Sequence, residues 1–266
     1  MLPKNKKPAS EDHSRNFVNF IESFETKLNR FNIIKANVIL AIYNVVMMAF
    51  LPLASLMLNY RVKNGKENPD RFTEKQGLTN IKRPDGELIW MHAVGLGEVL
   101  SLRALIKAML LKKPNLNFLV TSTTKISAEA FAKHIPDRTI HQFLPLDILI
   151  YNKRFLTHWR PNLAIFAEQD FWPGFVAAAQ KTGINVALIN CRISNDSAKK
   201  RMKLRPLYQA MLSKVSFVSA QDQTTAKNLE KLGYNKPICV TPSLKSGAPK
   251  LNYDETELRL FRGQIN

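Results

Sequence analysis

Apolar positions along this chain fall into three regimes. In residues 1–35 they are sparse. Phe17, Phe20, Ile21, Phe24 and Leu28 recur at helical spacing within a polar tail that opens on Lys4, Lys6 and Lys7. That pattern fits either a short amphipathic helix or a loosely ordered tail. Residues 36–60 then carry no charge at all, a run longer than the roughly 20 residues a helix needs to cross a bilayer core. It lies too far from the start and runs too long for a cleaved signal peptide. The run predicts a membrane-anchor helix over 36–60, with an interfacial helix and a buried core helix as the competing forms. Basic residues on both sides, Lys27, Arg30 and Lys35 before and Arg61, Lys63 and Lys66 after, set no orientation.

The third regime follows a polar connector over 61–86, which ends in the turn sequence Arg83-Pro84-Asp85-Gly86. Short apolar runs at 88–91, 118–121, 139–143, 163–166, 186–189, 215–219 and 238–241 alternate with helical periodicity, as in 100–111 and 175–181. Strands alternating with helices at this spacing predict βαβ units. Runs that are continuously apolar fit strands covered on both faces. The expected fold is therefore α/β: a Rossmann-like parallel sheet with helices on both faces over 87–241, preceded by the apolar anchor helix. Residues 242–266 are polar and show no strand–helix pattern, so they are expected to be a hinge or tail without a second domain.

Composition narrows the partners. With 266 residues and 45% hydrophobic content the chain buries a core and is not a disordered tail. Its 39 Lys plus Arg against 21 Asp plus Glu leave a formal charge of +18, which favours nucleic acid, an anionic membrane surface or a phosphorylated substrate. Basic residues with few interleaved aromatics and no recognised binding module argue against nucleic acid. Cys191 and Cys239 make no disulfide or metal framework and read as two buried thiols in a reducing compartment.

In an open parallel sheet, ligands bind beyond the carboxyl ends of the strands, so the loops there hold the candidate chemistry. After the first strand comes His92-Ala93-Val94-Gly95-Leu96-Gly97-Glu98. Its glycines allow a ligand to approach a helix N-terminus. A tight turn with a capping glutamate reads equally well, and Leu100 stands where a dinucleotide fingerprint needs a third glycine. After the fourth strand, Glu168-Gln169-Asp170-Phe171-Trp172-Pro173-Gly174 offers carboxylates that accept hydrogen bonds from sugar hydroxyls, with Pro173 suited to a first helical turn. After the fifth, Asn190-Cys191-Arg192-Ile193-Ser194 leads into Lys199, Lys200, Arg201, Lys203 and Arg205. These basic residues form either a phosphate grip or a solvated helix face. In the connector, Glu74 within Arg71-Phe72-Thr73-Glu74-Lys75-Gln76-Gly77 is, taken alone, only a charged loop residue.

Taken together, these stretches resemble the 3-deoxy-D-manno-octulosonic acid (Kdo) transferases of lipopolysaccharide biosynthesis, over residues 60–245. The resemblance is carried by Gly65-Lys66-Glu67-Asn68-Pro69, Glu74-Lys75-Gln76-Gly77, Trp90-Met91-His92-Ala93-Val94 with Gly97-Glu98, and Gln142-Phe143-Leu144-Pro145-Leu146-Asp147. It continues through His158-Trp159-Arg160-Pro161, Glu168 with Phe171-Trp172-Pro173, Asn190 with Arg192 and Ser194, and Ala220-Gln221-Asp222.

The resemblance implies the acceptor-binding, amino-terminal half of a two-Rossmann GT-B glycosyltransferase that needs no metal or other cofactor. Its donor would be CMP-Kdo and its acceptor a lipid A precursor. Glu74 would act as general base, with inversion at the anomeric carbon. Gly97, Glu98, Glu168, Arg192 and Ser194 would bind substrate. The implied location is the inner (cytoplasmic) membrane, catalytic side facing the cytoplasm, and CMP-Kdo would be held by a carboxy-terminal domain expected to be missing here.

The chain departs from the family where Gly95 replaces a serine, at Thr124-Lys125-Ile126-Ser127, at Gln169 and Asp170, and near the expected hinge at Pro242-Ser243-Leu244-Lys245-Ser246-Gly247. A second reading is an inactive, membrane-bound lipid-binding or scaffolding relative.

Overall fold

The structure is a computed structural model that describes residues 31–168 and 171–247, together with 259, 262 and 263. The predicted helical pattern at Phe17 to Leu28 and the loop residues Gln169 and Asp170 lie outside the described residues.

Seven parallel strands form one sheet. They are β1 (Leu88–His92), β2 (Asn117–Ser122), β3 (Thr139–Phe143), β4 (Leu163–Ala167), β5 (Asn185–Cys191), β6 (Phe217–Ala220) and β7 (Cys239–Val240), in the order β3-β2-β1-β4-β5-β6-β7. Every neighbouring pair is parallel. The order reverses between β1 and β4, which makes the cleft beyond their carboxyl ends the topological switch point. Helices α3 (Leu96–Lys112), α4 (Lys125–Ala132), α5 (Leu149–Trp159), α6 (Pro173–Lys181), α7 (Asn195–Met202), α8 (Arg205–Leu212) and α9 (Gln223–Leu232) make the crossovers. Alternate residues of one strand feed opposite layers. From β1, Leu88 and Trp90 enter a layer with Phe155, Phe166 and Phe175. Ile89 and Met91 enter the other, with Phe118, Val120 and Phe131. Two covered faces explain why the strands are continuously apolar.

The apolar run at 36–60 is carried on two helices rather than one. Helix α1 spans Phe31–Ala49, and α2 spans Leu51–Lys63 with a proline in its first turn. Pro52 has no N–H to give an upstream carbonyl, so it starts a helix more readily than it continues one. Only one face of α1 meets the domain: Ala36 and Leu40 pack with Ala177, Ala210 and Met211, and the Tyr43 hydroxyl donates to Asp147 at 2.8 Å. On its other face Phe31, Ile34, Val38, Ile42 and Val45 are exposed.

Asp147 organises the loop after β3. It accepts hydrogen bonds from the Gly174 and Phe175 N–H groups, at 2.8 and 2.9 Å, and from Asn152, so it caps α6 from outside that helix. A Cβ on Gly174 would fall 2.5 Å from Asp147 Oδ1, so only glycine fits. Both cysteines are free, but they are not both buried as expected: Cys239 is exposed. It lies on β7, a two-residue strand at the sheet edge whose residues are both exposed.

Candidate active site

Four segments converge at the switch point. The first is the turn from β1 into α3. Gly95 caps the helix, and the Glu98 carboxylate folds back to accept the N–H groups of Gly95 and Val94, at 3.1 and 3.3 Å. The capping reading of this motif is thus what the structure shows for one carboxylate oxygen. A Cβ on Gly95 would lie 2.9 Å from the other oxygen, so a serine here would push Glu98 outward. Gly97 leaves an open turn beside the aliphatic end of Lys245, whose Cε would lie 3.5 Å from an added Cβ.

The second segment begins at Glu168, the first residue after β4. Its φ of 61° is in the left-handed region, sparsely used by non-glycine residues. This turns its side chain into the cleft, while its N–H still bonds Ile189 O at 2.9 Å. Burial pushes the Glu168 carboxyl up. A hydrogen bond with Glu98 and the charge of Glu98 push it further, and Lys245 opposes both. A carboxyl beside a second carboxylate is harder to ionise, so Glu168 holds its proton to higher pH than a lone glutamate would.

The third and fourth segments are joined by a hydrogen bond. Asn190, at the end of β5, also has positive φ, 55°, and its Oδ1 accepts the Leu244 N–H at 3.0 Å. That bond seats the 3-10 turn Leu244–Gly247 over the cleft and brings Lys245 Nζ to 3.3 Å from Glu168. Sequence reasoning placed Lys245 near a hinge and gave it no role. Glu168 and Lys245 are far apart in the chain, and no local pattern foretells their pairing.

The remaining predicted residues behave differently. Glu74, the candidate base, is only 6% exposed. It sits in a 3-10 turn, Phe72–Gln76. Its two oxygens receive a fork from Arg71, at 2.8 and 2.9 Å, and the Phe143 N–H at 2.7 Å. Arg71 also donates to His141 O. The Glu74 carboxylate thus clamps the connector onto β3, with Oε1 accepting one bond and Oε2 two. Ser194 is the N-cap of α7 and accepts the Ser197 N–H. Arg192 is exposed, and its charge bears on Asp222. In the basic cluster, Arg201 bonds Ser197 and Tyr208, and Arg205 bonds Lys231 O, while Lys199, Lys200 and Lys203 face solvent.

Beside the carboxylates lies a cavity of about 580 Å³, a size typical of ligand sites. Its floor is built from the loops after the first four strands, including Val94, Thr124, Leu146 and Trp172, and its outer wall from α1 and α2. The lining is mostly apolar. Its polar residues are Lys75, Arg61, Glu67, Tyr43, Thr123, Thr124 and Asp147, with Arg61 paired to Glu67 at 2.7 Å. Lys75 Nζ donates to Thr123 O at 2.7 Å and stands over the Phe143 ring. Burial pulls the Lys75 ammonium pKa down, and Arg61 adds to this, while Glu67 and Glu74 oppose it. Among the described residues, no group of three or more His, Cys, Asp or Glu side chains is arranged to hold a metal ion.

Comparison with known proteins bears on this site. The family described as 3-deoxy-D-manno-octulosonic-acid transferase (kdotransferase) matches residues 70–248. A probable 3-deoxy-D-manno-octulosonic acid transferase, mitochondrial, of Arabidopsis thaliana is 37% identical over 170 residues, 63% of this chain and 38% of the relative. A 3-deoxy-D-manno-octulosonic acid transferase of Rickettsia bellii is 31% identical over 208 residues, 78% of this chain and 49% of the relative. The chain thus spans less than half the length of these two relatives. Among solved structures, the S. aureus MnaA-UDP co-structure aligns at 13% identity and TM-score 0.47, covering 66% of this chain and 52% of that one.

Proposed function

Since the chain belongs to the 3-deoxy-D-manno-octulosonic-acid transferase family, we propose that it is the acceptor-side, amino-terminal half of a GT-B enzyme. That enzyme would transfer Kdo from CMP-Kdo to a lipid A precursor. One observation carries the assignment of roles: a carboxylate pair, Glu98 and Glu168, stands at the switch point beside an apolar cavity. Burial and the neighbouring Glu98 push the Glu168 carboxyl up, and Lys245 opposes this. Glu98 receives the proton from the acceptor hydroxyl as its oxygen attacks the anomeric carbon of Kdo. The bond from that carbon to the CMP phosphate breaks, CMP leaves with the electron pair, and attack from the opposite face inverts configuration. Lys245 holds Glu168 in place. Arg192 and the exposed lysines of α7 meet phosphates of the acceptor or of neighbouring lipids.

The test is transfer of radiolabelled Kdo from CMP-Kdo to lipid A precursor, in detergent, by this chain joined to the carboxy-terminal domain of a Kdo transferase. Glu98→Gln is expected to lower the rate by about 10²–10⁴-fold, the usual range for loss of a general base. An active chain in which Glu98→Gln changes nothing would remove Glu98 from this role. Acceptor binding without any transfer would instead favour the lipid-binding or scaffolding reading.

A further inference from the structure

The cavity between the α1–α2 pair and the strand-end loops is larger than a sugar hydroxyl and its base require, and its chemistry is wrong for a sugar. Sugars present hydroxyls in every direction, whereas this lining is dominated by Met47, Leu53, Met57, Leu146, Ile148 and Trp172. Its two cations, Lys75 and Arg61, stand together with Glu67, while Tyr43, Thr123, Thr124 and Asp147 supply the other polar groups of the lining. Lys75 carries three donors, and one bond, to Thr123 O, is made among the described residues. An apolar chamber with a cationic cluster fits an amphiphile: a hydrocarbon chain inside and an acidic group at the lysine. The outer wall also connects the chamber to apolar surface. Phe50, Leu53 and Met57 line it and are themselves exposed, continuing the stripe on α1.

We propose that this cavity holds one acyl chain of the lipid acceptor. Its phosphate-bearing end would be steered by Lys75 and Arg61, so that a hydroxyl of the head group is left at the neighbouring carboxylate pair. The acceptor as source of the chain rests on the reading above; the slot itself rests on the walls of the cavity.

The experiment uses the full chain in phosphatidylcholine nanodiscs and alkyl phosphates of 8 to 14 carbons bearing a terminal photoreactive diazirine. Adducts are mapped by mass spectrometry, and no CMP-Kdo is present, so the result is independent of sugar transfer. Labelling of Leu146 and Ile148 on the inner wall is expected. The affinity read from it should rise about fourfold per added methylene until the slot is full. Ala54→Trp and Met57→Trp should each cut inner-wall labelling at least tenfold. Labelling of Val45, on the outer face of α1, should persist in both and reports that the chain is folded and membrane-seated. Lys75→Met should weaken labelling by the phosphate probes and leave that by the matching alcohols unchanged. Labelling confined to the outer face, or inner-wall labelling indifferent to both tryptophan variants, would overturn the slot. Competition should be at least tenfold stronger from an acylated glucosamine disaccharide phosphate than from phosphatidylglycerol, and equal competition would overturn the acceptor as the source.

Discussion

At the scale of single residues, Glu74 and Glu98 sit in different surroundings, the first clamped inside the protein and the second at the switch point. Glu74 resembles a catalytic residue by its place in a motif, yet it is inside the protein, with Arg71 and the Phe143 N–H on its oxygens. Removing one partner from such a buried, charge-assisted cluster strands the other. Arg71 retains partial exposure, which softens the penalty, so Glu74→Ala should destabilise the fold by about 3 kcal/mol. Glu74→Gln, which keeps an acceptor for Phe143, should cost about half of that. Urea denaturation measures both. A Glu74→Gln chain of unchanged stability but without transfer would return the base role to Glu74. The sequence could not separate the two glutamates, since both lie beside glycines in polar turns. What separates them is what the fold brings near: the Arg71 fork on Glu74, and beside Glu98 the Glu168 carboxyl, itself paired with Lys245. Arg71 is a local neighbour of Glu74 and in principle legible, whereas Lys245 reaches Glu168 only through the whole sheet.

At the scale of elements, the strands were legible because being covered on both faces forces a continuous apolar run, and each of the seven runs contains or overlaps a strand. The apolar run at 36–60 misled because an uncharged stretch looks the same whether one helix or two carry it; Pro52 was the available signal. Two strands also bury histidines. His92, on β1, is wholly enclosed, and His141, on β3, bonds Ser122. Burial pulls each down to about 3; the Thr121 backbone contact opposes this at His92, where the Lys75 charge adds to it, as Arg71 and then Lys75 add at His141. Their folded pKa values lie below the unfolded value of about 6.5. The unfolded chain therefore binds more protons between those limits, and the stability present above pH 6.5 is lost as pH falls. Each histidine contributes a slope of about 1.4 kcal/mol per pH unit across that window. Stability measured from pH 7 to 4 should fall more steeply than in His92→Gln, which removes one of the two protonations. Equal slopes in the two chains would show that His92 does not titrate on unfolding.

At the scale of the whole molecule, the formal charge of +18 and the helix pair bear on the same question, how the protein meets a membrane. Helix α1 is long and apolar enough to cross a bilayer by length and composition. Its inner face is nonetheless committed to protein: Ala36, Leu40 and Asn44 are buried, and Tyr43 bonds Asp147. Crossing would surround those positions with lipid and give up that packing. Lying in the interface keeps it and buries the opposite stripe, on which Val45 is 71% exposed. That seat would also turn the cavity wall toward the leaflet. Two forces then hold the protein, and they separate experimentally. Attraction between exposed lysines and anionic headgroups is screened over about 10 Å at 0.1 M salt and about 3 Å at 1 M, while burial of the apolar stripe is not screened. Binding to phosphatidylglycerol vesicles should therefore weaken with salt but level off at a plateau. Val38→Asp with Val45→Asp should remove that plateau and leave the salt-sensitive part in place. If the paired substitution leaves high-salt binding intact, the outer face of α1 is not what enters the membrane.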